Sequence, residues 1–369
     1  MSKGTILSEK PYAFVPLLEK KESEKYIGHN KIHPDRYSGK LFLKMETLSP
    51  VHVSQGKYRF EDNKNDFTVM TAELNNRVYI PGSGIKGAIR SITESVSYSC
   101  APQPPKRFLN QALPSSNRFV CQKQDACVSC RLFGFSSRDV SYKGQIIFED
   151  FSPIEEVKLE TRLLPQLQSP FKKDYPKNRL RPFPENGYGN ERLYYCQVCN
   201  DFDKCNTCTK EEYLEKLKLL NNNSRNYRFR GRKFYYHSKE TEERKNGIPH
   251  EFIPAGTTLV GSVIINNLSY EELSLLAFSF GLDKAITPKI GYGKPAYFGS
   301  VRFSFEKYED IKSRYGLKKE ELDFTTLAKE YREKAPKDIK TNINILSNIL
   351  NWDNPAGNPW PIRDGNKTY

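Results

Sequence analysis

The sequence predicts an α+β fold: a ferredoxin-like core interrupted by a large zinc-binding insertion. Three observations carry that expectation. Segments with the period of a half-buried strand and segments with the period of a helix follow one another as strand, helix, strand, then again strand, helix, strand. Between the two halves lies a stretch of roughly a hundred residues, far beyond an ordinary connection, that holds paired Cys-x2-Cys knuckles. Each half also has a glycine-rich turn beside cationic side chains, at residues 80–90 and 289–299.

Residues 1–38 carry scattered prolines and charges without a sustained period, and are expected to form an N-terminal extension docked on the domain or on a neighbour. The first part of the core spans 39–151. Leu41, Leu43 and Met45 alternate with Phe42, Lys44 and Glu46, the pattern of a strand with one buried face. After a polar stretch, Pro81, Gly82 and Gly84 turn the chain into a helix. Ile85, Ala88, Ile89, Ile92 and Val96 recur there at helical spacing, with Lys86 and Arg90 on the other face. The first-turn amides of such a helix lack internal partners, and a glycine turn lets a phosphate reach them; a plain loop–helix junction would read the same way. Residues 101–143 read as an irregular excursion and 145–149 as the second core strand.

Residues 152–250 are the expected insertion. The second part of the core, 251–310, opens with a strand at 258–265. Ser269 and Glu272 have capping-box spacing and Leu268 can staple against Leu273, so a helix starts there; Gly281 ends it. A strand at 301–305 completes the set. Within 311–369, residues 319–335 read as helical, and 351–369 as a tail that orders only against another surface.

With 369 residues the chain can bury a full core without disulfides. Its net charge of +14 and pI near 9.2 favour an anionic partner such as nucleic acid over a small neutral substrate. No apolar run reaches membrane-spanning length and the first residues lack a signal-peptide core, so the expectation is a soluble, cytoplasmic protein without a membrane partner. In a reducing cytosol its eight cysteines are metal-ligand candidates rather than disulfides. The phosphate-binding Gly-x4-Gly-Lys-Ser/Thr loop, the zinc-protease His-Glu-x2-His and the Gly-x-Ser-x-Gly elbow are all missing. No cluster of carboxylates and no pair of histidines stands out as a nuclease centre.

Cys196, Cys199, Cys205 and Cys208 form two Cys-x2-Cys knuckles with a short spacer, the arrangement that wraps one Zn2+ in a closed, structural, four-thiolate site. Cys100, Cys121, Cys127 and Cys130 are a looser set, compatible with a second structural zinc or with buried free thiols. Residues 225–237 (RNYRFRGRKFYYH) interleave cations with rings. If extended, Arg228, Arg230 and Arg232 share one face and Tyr227 and Phe229 the other: either a phosphate strip backed by a stacking surface, or a strand with a solvated basic face.

Taken in order, residues 48–56 (LSPVHVSQG), 80–90 (IPGSGIKGAIR), 130–134 (CRLFG) and 289–299 (KIGYGKPAYFG) resemble the RAMP superfamily, the RNA-binding subunits of CRISPR effector complexes. The CRLFG run is most similar to backbone subunits of type III complexes, and GRKFYYH resembles a motif of type III-D-like members. The resemblance implies an RRM-like core and, as partners, CRISPR RNA, target RNA and other effector subunits. The residues expected to meet RNA are Gly82, Ser83, Gly84, Lys86, Arg90, Arg228, Arg230, Arg232, Lys233, Gly291, Gly293 and Lys294. It also implies that an aspartate in the loop after the first strand, Asp62 or Asp66, cuts paired target RNA with Mg2+ or Mn2+. His52 is an acid–base candidate or a structural histidine. A capping or non-cutting subunit of the same fold, and a stand-alone, metal-independent ribonuclease that processes CRISPR RNA, are the alternatives.

Overall fold

The computed structural model describes residues 11–60, 67–100, 121, 125–137, 140–165, 231–243, 245, 247–316 and 321–355. In chain order the principal elements are β1 (Tyr12–Val15), β2 (Tyr37–Thr47), β3 (Ser54–Phe60), β4 (Phe67–Thr71), α1 (Gly82–Ser95), α2 (Val128–Phe133), β5 (Ile146–Phe148), β6 (Glu160–Leu164), β7 (Arg232–Tyr235), β8 (Ile248–Phe252), β9 (Thr258–Leu268), α3 (Tyr270–Ser279), β10 (Val301–Asp310), α4 (Phe324–Lys334) and α5 (Lys337–Ile349). The architecture is mixed α/β.

The alternation in β2 seeds the main sheet. Leu41, Leu43 and Met45 are buried, while Lys40, Phe42 and Lys44 point to the other side. The strands lie in the order β5-β9-β2-β10, every neighbour antiparallel. Numbered along the chain, that is second, third, first, fourth. Ile85, Ile89 and Ile92 of α1 and Leu273, Leu276 and Phe280 around α3 join Leu41, Leu43 and Met45 in one core, so both helices cover the same face. The opposite face carries paired charges, Lys40 with Glu149 at 2.7 Å and Lys44 with Glu306 at 2.9 Å, around Phe42. It is not a basic surface.

The capping box forms as expected: Glu272 N donates to Ser269 Oγ at 3.2 Å and Ser269 N to Glu272 Oε2 at 3.0 Å. The staple residues Leu268 and Leu273 are both fully buried. Gly281, at φ +71, takes the left-handed conformation just past the helix. α3 is buried on nearly every side because α4 lies on its outer face, with Phe278 against Tyr331.

A second sheet, β6-β8-β4-β3, stands beside the first. Strands from both ends of the expected 152–250 insertion contribute to it: β6 pairs antiparallel with β8, which runs parallel to β4. β3 and β4 form a hairpin whose β3 side is almost wholly exposed. β1, from the expected N-terminal extension, pairs with β7, and Val15 enters the main core. In the C-terminal region α4 falls within the expected 319–335 helix. α5 was not anticipated, and its buried Asn342 donates to Pro16 O and Ser95 O.

Candidate nucleic-acid interface and metal centre

The first glycine turn leads into α1, as its residues predict, but the helix N-terminus is already served from within. Gly82 N donates to Asp150 Oδ1 at 2.8 Å, and the amides of Gly84 and Ile85 donate to Pro81 O. A carboxylate thus sits where a phosphate was expected, with the helix dipole in its favour. Gly82 is buried, and a Cβ there would lie 2.4 Å from Phe148 O, so this glycine makes room for its own chain. Ser83, Gly84 and Gly87 are exposed, and Gly84 and Gly87 have nothing within 4 Å of an added Cβ.

Lys86 has no carboxylate partner among the described residues; burial, then the charge of Arg90, lowers its pKa. Arg90 is committed inside the protein: its Nε binds Glu94 Oε1 at 2.8 Å and it donates to Gly134 O at 3.0 Å. Arg232 meets Glu94 Oε2 at 2.6 Å and donates to Cys100 O at 3.1 Å. Both partners' side chains are only 11% exposed, so this guanidinium is paired and largely buried rather than part of an open strip. Lys233 lies over the rings of Tyr12 and Tyr235, at 4.7 and 5.0 Å. Arg228 and Arg230 lie outside the described residues.

Near Glu94 is a candidate metal centre. Cys100, Cys121, Cys127 and Cys130 are all buried, and their sulfurs lie within 4.8 Å of one another. The Sγ–Sγ separations of 3.6 Å for Cys100–Cys130 and 3.7 Å for Cys127–Cys100 match the edge of a tetrahedron with Zn–S of about 2.3 Å. Backbone amides support the cluster: Cys127 N donates to Cys121 Sγ at 3.1 Å and Cys100 N to Cys127 Sγ at 3.4 Å. Hydrogen bonding within the cluster pushes the Cys127 thiol far down and the Cys100 and Cys130 thiols up, so the four sulfurs share protons closely when no metal displaces them. Nearby guanidiniums offset such thiolate charge: burial opposes the charge of Arg90, but Glu94 and the Cys130 and Cys100 sulfurs raise its pKa. Of the two readings open for this set, the clustered geometry can hold a tetrahedral metal ion. Cys196, Cys199, Cys205 and Cys208 lie outside the described residues.

The second glycine loop packs against the segment 48–56. Leu48 N donates to Ser300 O at 2.8 Å, Gly299 N to Pro50 O at 3.0 Å and Tyr292 N to His52 O at 2.9 Å. Most of the loop is buried. Gly291, at φ +73, passes so close to His52 that a Cβ would lie 2.2 Å from its carbonyl oxygen, and a Cβ at Gly293 would press on Leu164 and Phe298. These glycines also serve internal packing rather than a phosphate's approach. Lys294, partly exposed with its pKa lowered by burial, and fully buried Lys289, which donates to Tyr236 O at 3.0 Å, have no carboxylate partner among the described residues.

His52 is completely buried; its Nδ1 is 2.7 Å from Glu251 O, and burial is the main cause that lowers its pKa to about 4. The fold brings His250 against it, ring centroids 4.9 Å apart, a pairing that the linear sequence conceals. Tyr292 stacks on His250 at 5.8 Å and 23°. His237, also fully buried, is 2.8 Å from Ser300 Oγ and 2.9 Å from Thr287 O, the contacts of a structural imidazole. Asp62 and Asp66 lie outside the described residues, in the connection between β3 and β4.

A sheet backed on one face by helices, a cluster of four cysteines able to hold a metal ion and a basic composition define the class: an α/β protein suited to binding nucleic acid. The sequence model of the RAMP superfamily matches residues 44–356. The chain belongs to the RAMP superfamily, and that membership makes it a CRISPR-associated, RNA-binding subunit. No curated protein matches the chain. No described helix is long and apolar enough to cross a membrane.

Proposed function

We propose that the chain is a backbone subunit of a type III, III-D-like CRISPR ribonucleoprotein that binds CRISPR RNA and cuts complementary target RNA. The observation that carries this reading is the meeting of two family segments, 48–56 and 289–299, through two backbone hydrogen bonds, Gly299 N to Pro50 O and Tyr292 N to His52 O, with the β3–β4 hairpin starting within the first. In this reading the β3–β4 connection, which holds Asp62 and Asp66, reaches toward the target strand. The second-third-first-fourth strand order, with both helices on one face, supports a ferredoxin-like core. Among the described residues expected to meet RNA, Lys86 and Lys294 are cations without a carboxylate partner and suit phosphates, and guide–target pairing supplies sequence choice while the protein holds the backbone.

In this reading Asp62 or Asp66 binds Mg2+ or Mn2+, which would activate a ribose 2′-OH against the neighbouring phosphate. The Cys100–Cys130 cluster takes Zn2+ and pins the end of α1 to α2. A stand-alone, metal-independent ribonuclease has less support, because His52 is sealed from solvent and held neutral. The test is to purify the chain with its genomic neighbours and map target-RNA cuts with Asp62→Ala and Asp66→Ala in turn. Loss of cutting with one of them supports the reading; cutting that survives both makes this a capping or non-cutting subunit.

A further inference from the structure

Tyr292 is out of character with its surroundings. Gly293, Pro295, Ala296, Tyr297 and Phe298 of the same loop are buried, yet the Tyr292 ring is 49% exposed. It is nevertheless held firmly. Its amide donates to His52 O, and it lies between two glycines in the left-handed region, Gly291 at φ +73 and Gly293 at φ +76. One side of the ring rests on His250, which meets the edge of His52 at 89°. Burial lowers the pKa of both imidazoles, so the support is neutral near pH 7.

The same face of the second sheet carries further exposed rings. Val69 pairs with His250 on one side and with Tyr58 on the other, and directly paired residues share a face. Tyr58 and Phe60, at i and i+2, therefore lie on the His250 side, 53% and 65% exposed, both against Phe67.

We propose that Tyr292 is a stacking platform for an unpaired nucleobase of single-stranded RNA. This rests on the RNA-binding reading and adds to it a contact made to a base rather than to the phosphate backbone. A base offers a π-face whatever its identity, so such a contact suits a protein that must accept any guide sequence. The held ring has little rotamer freedom left to lose on binding. RNA fits this surface better than a protein does. Lys294, two residues on, lacks a carboxylate partner among the described residues, and the chain has a net charge of +14. An apolar protein surface would have to cover that ammonium group without compensation.

The test is binding of the full-length, zinc-loaded chain to a short single-stranded RNA and to a length-matched abasic ribose-phosphate oligomer, followed by fluorescence anisotropy at fixed salt. Tyr292→Ala is expected to weaken binding to the RNA roughly 5- to 100-fold and to leave the abasic oligomer unchanged, with Tyr292→Phe close to wild type. Lys86→Ala should weaken both oligomers alike. Equal binding of RNA by Tyr292→Ala and wild type overturns the platform while leaving the RNA reading intact, as does an equal loss on both oligomers. Failure of the wild-type chain to bind either oligomer overturns both. A wild-type self-association abolished by Tyr292→Ala without any change in RNA affinity would assign the ring to a protein interface instead.

Discussion

Two glycines of α1, five residues apart, should respond to alanine with opposite signs. At Gly82 the added Cβ would sit 2.4 Å from Phe148 O and 2.7 Å from Glu149 O, both backbone atoms of the segment that also supplies Asp150 to the helix N-terminus. Neither oxygen can swing away alone, so the helix must withdraw from that segment and stretch the Gly82–Asp150 bond. Overpacking of this kind costs about 1–3 kcal/mol. Gly87 is in the helix interior, exposed, with nothing within 4 Å of the new Cβ, and there alanine should stabilise by up to about 1 kcal/mol through helix propensity alone. Urea unfolding of the zinc-loaded chain followed by circular dichroism gives both values as midpoint shifts at constant slope. The same variants then test the interface. If RNA passes over the Ser83, Gly84 and Gly87 face beside Lys86, Gly87→Ala gains stability and loses RNA affinity together. A destabilised Gly87→Ala would refute the account of α1, and a stabilised one with unchanged RNA affinity would remove this face from the RNA path.

The remaining expectations concern metal, proton and salt. Elemental analysis should find zinc bound, and Cys127→Ser should lower the zinc content by one ion per chain and the melting temperature with it; an unchanged content would refute the Cys100–Cys130 site. His52 has a folded pKa of about 4 against an ordinary 6.5, so the unfolded chain binds the proton more readily; its contribution is intact above pH 6.5 and is lost as the pH falls toward 4, by up to about 3 kcal/mol. His52→Asn, which can keep the bond to Glu251 O, should flatten that part of the stability–pH curve, and an identical curve would refute the burial argument. RNA affinity should fall steeply with salt, and Lys86→Ala should reduce the slope of log K against log salt by about one; an unchanged slope would mean that Lys86 meets no phosphate.

The parts of the fold written in local signals were legible. The alternation at Leu41, Leu43 and Met45, the isoleucines of α1 and the Ser269–Glu272 box each specify an element within a few residues, and each element is present. α5 escaped because its asparagines and threonine are poor helix formers and Asn342 interrupts its apolar stripe; Asn342 is accommodated through bonds to Pro16 and Ser95, which no local pattern can display. The pairing of Arg232 was hidden for a related reason. An arginine's charge is visible in sequence but its partner is not, and Glu94 lies on a distant helix. The cysteine set could be proposed from spacing but not settled by it, because Cys100 is far along the chain from the others and only the fold closes the cluster. The His52–His250 pair is similarly invisible, since it depends on β8 pairing parallel with β4.

The glycine turns show how a motif can be recognised while its physical role is misassigned. Gly82 and Gly291 looked like openings through which a phosphate could touch the main chain. In the folded protein each lies against another part of the same backbone, and the N-terminus of α1 holds the Asp150 carboxylate. Backbone amides are therefore poor candidates for most of the anion contacts. What the glycines provide instead is close packing: they let the 289–299 loop lie flat on 48–56 and let α1 lie flat on the segment after β5, so that the side chains projecting from these junctions are fixed in place. Lys86, Lys294 and Tyr292 are such side chains. An interface built this way grips phosphates with cations and bases with rings, both indifferent to base order, and its precision comes from the rigidity of the packed turns beneath. Loosening a turn should therefore damage RNA binding as much as deleting the side chain it supports, even though the glycine itself never touches the RNA.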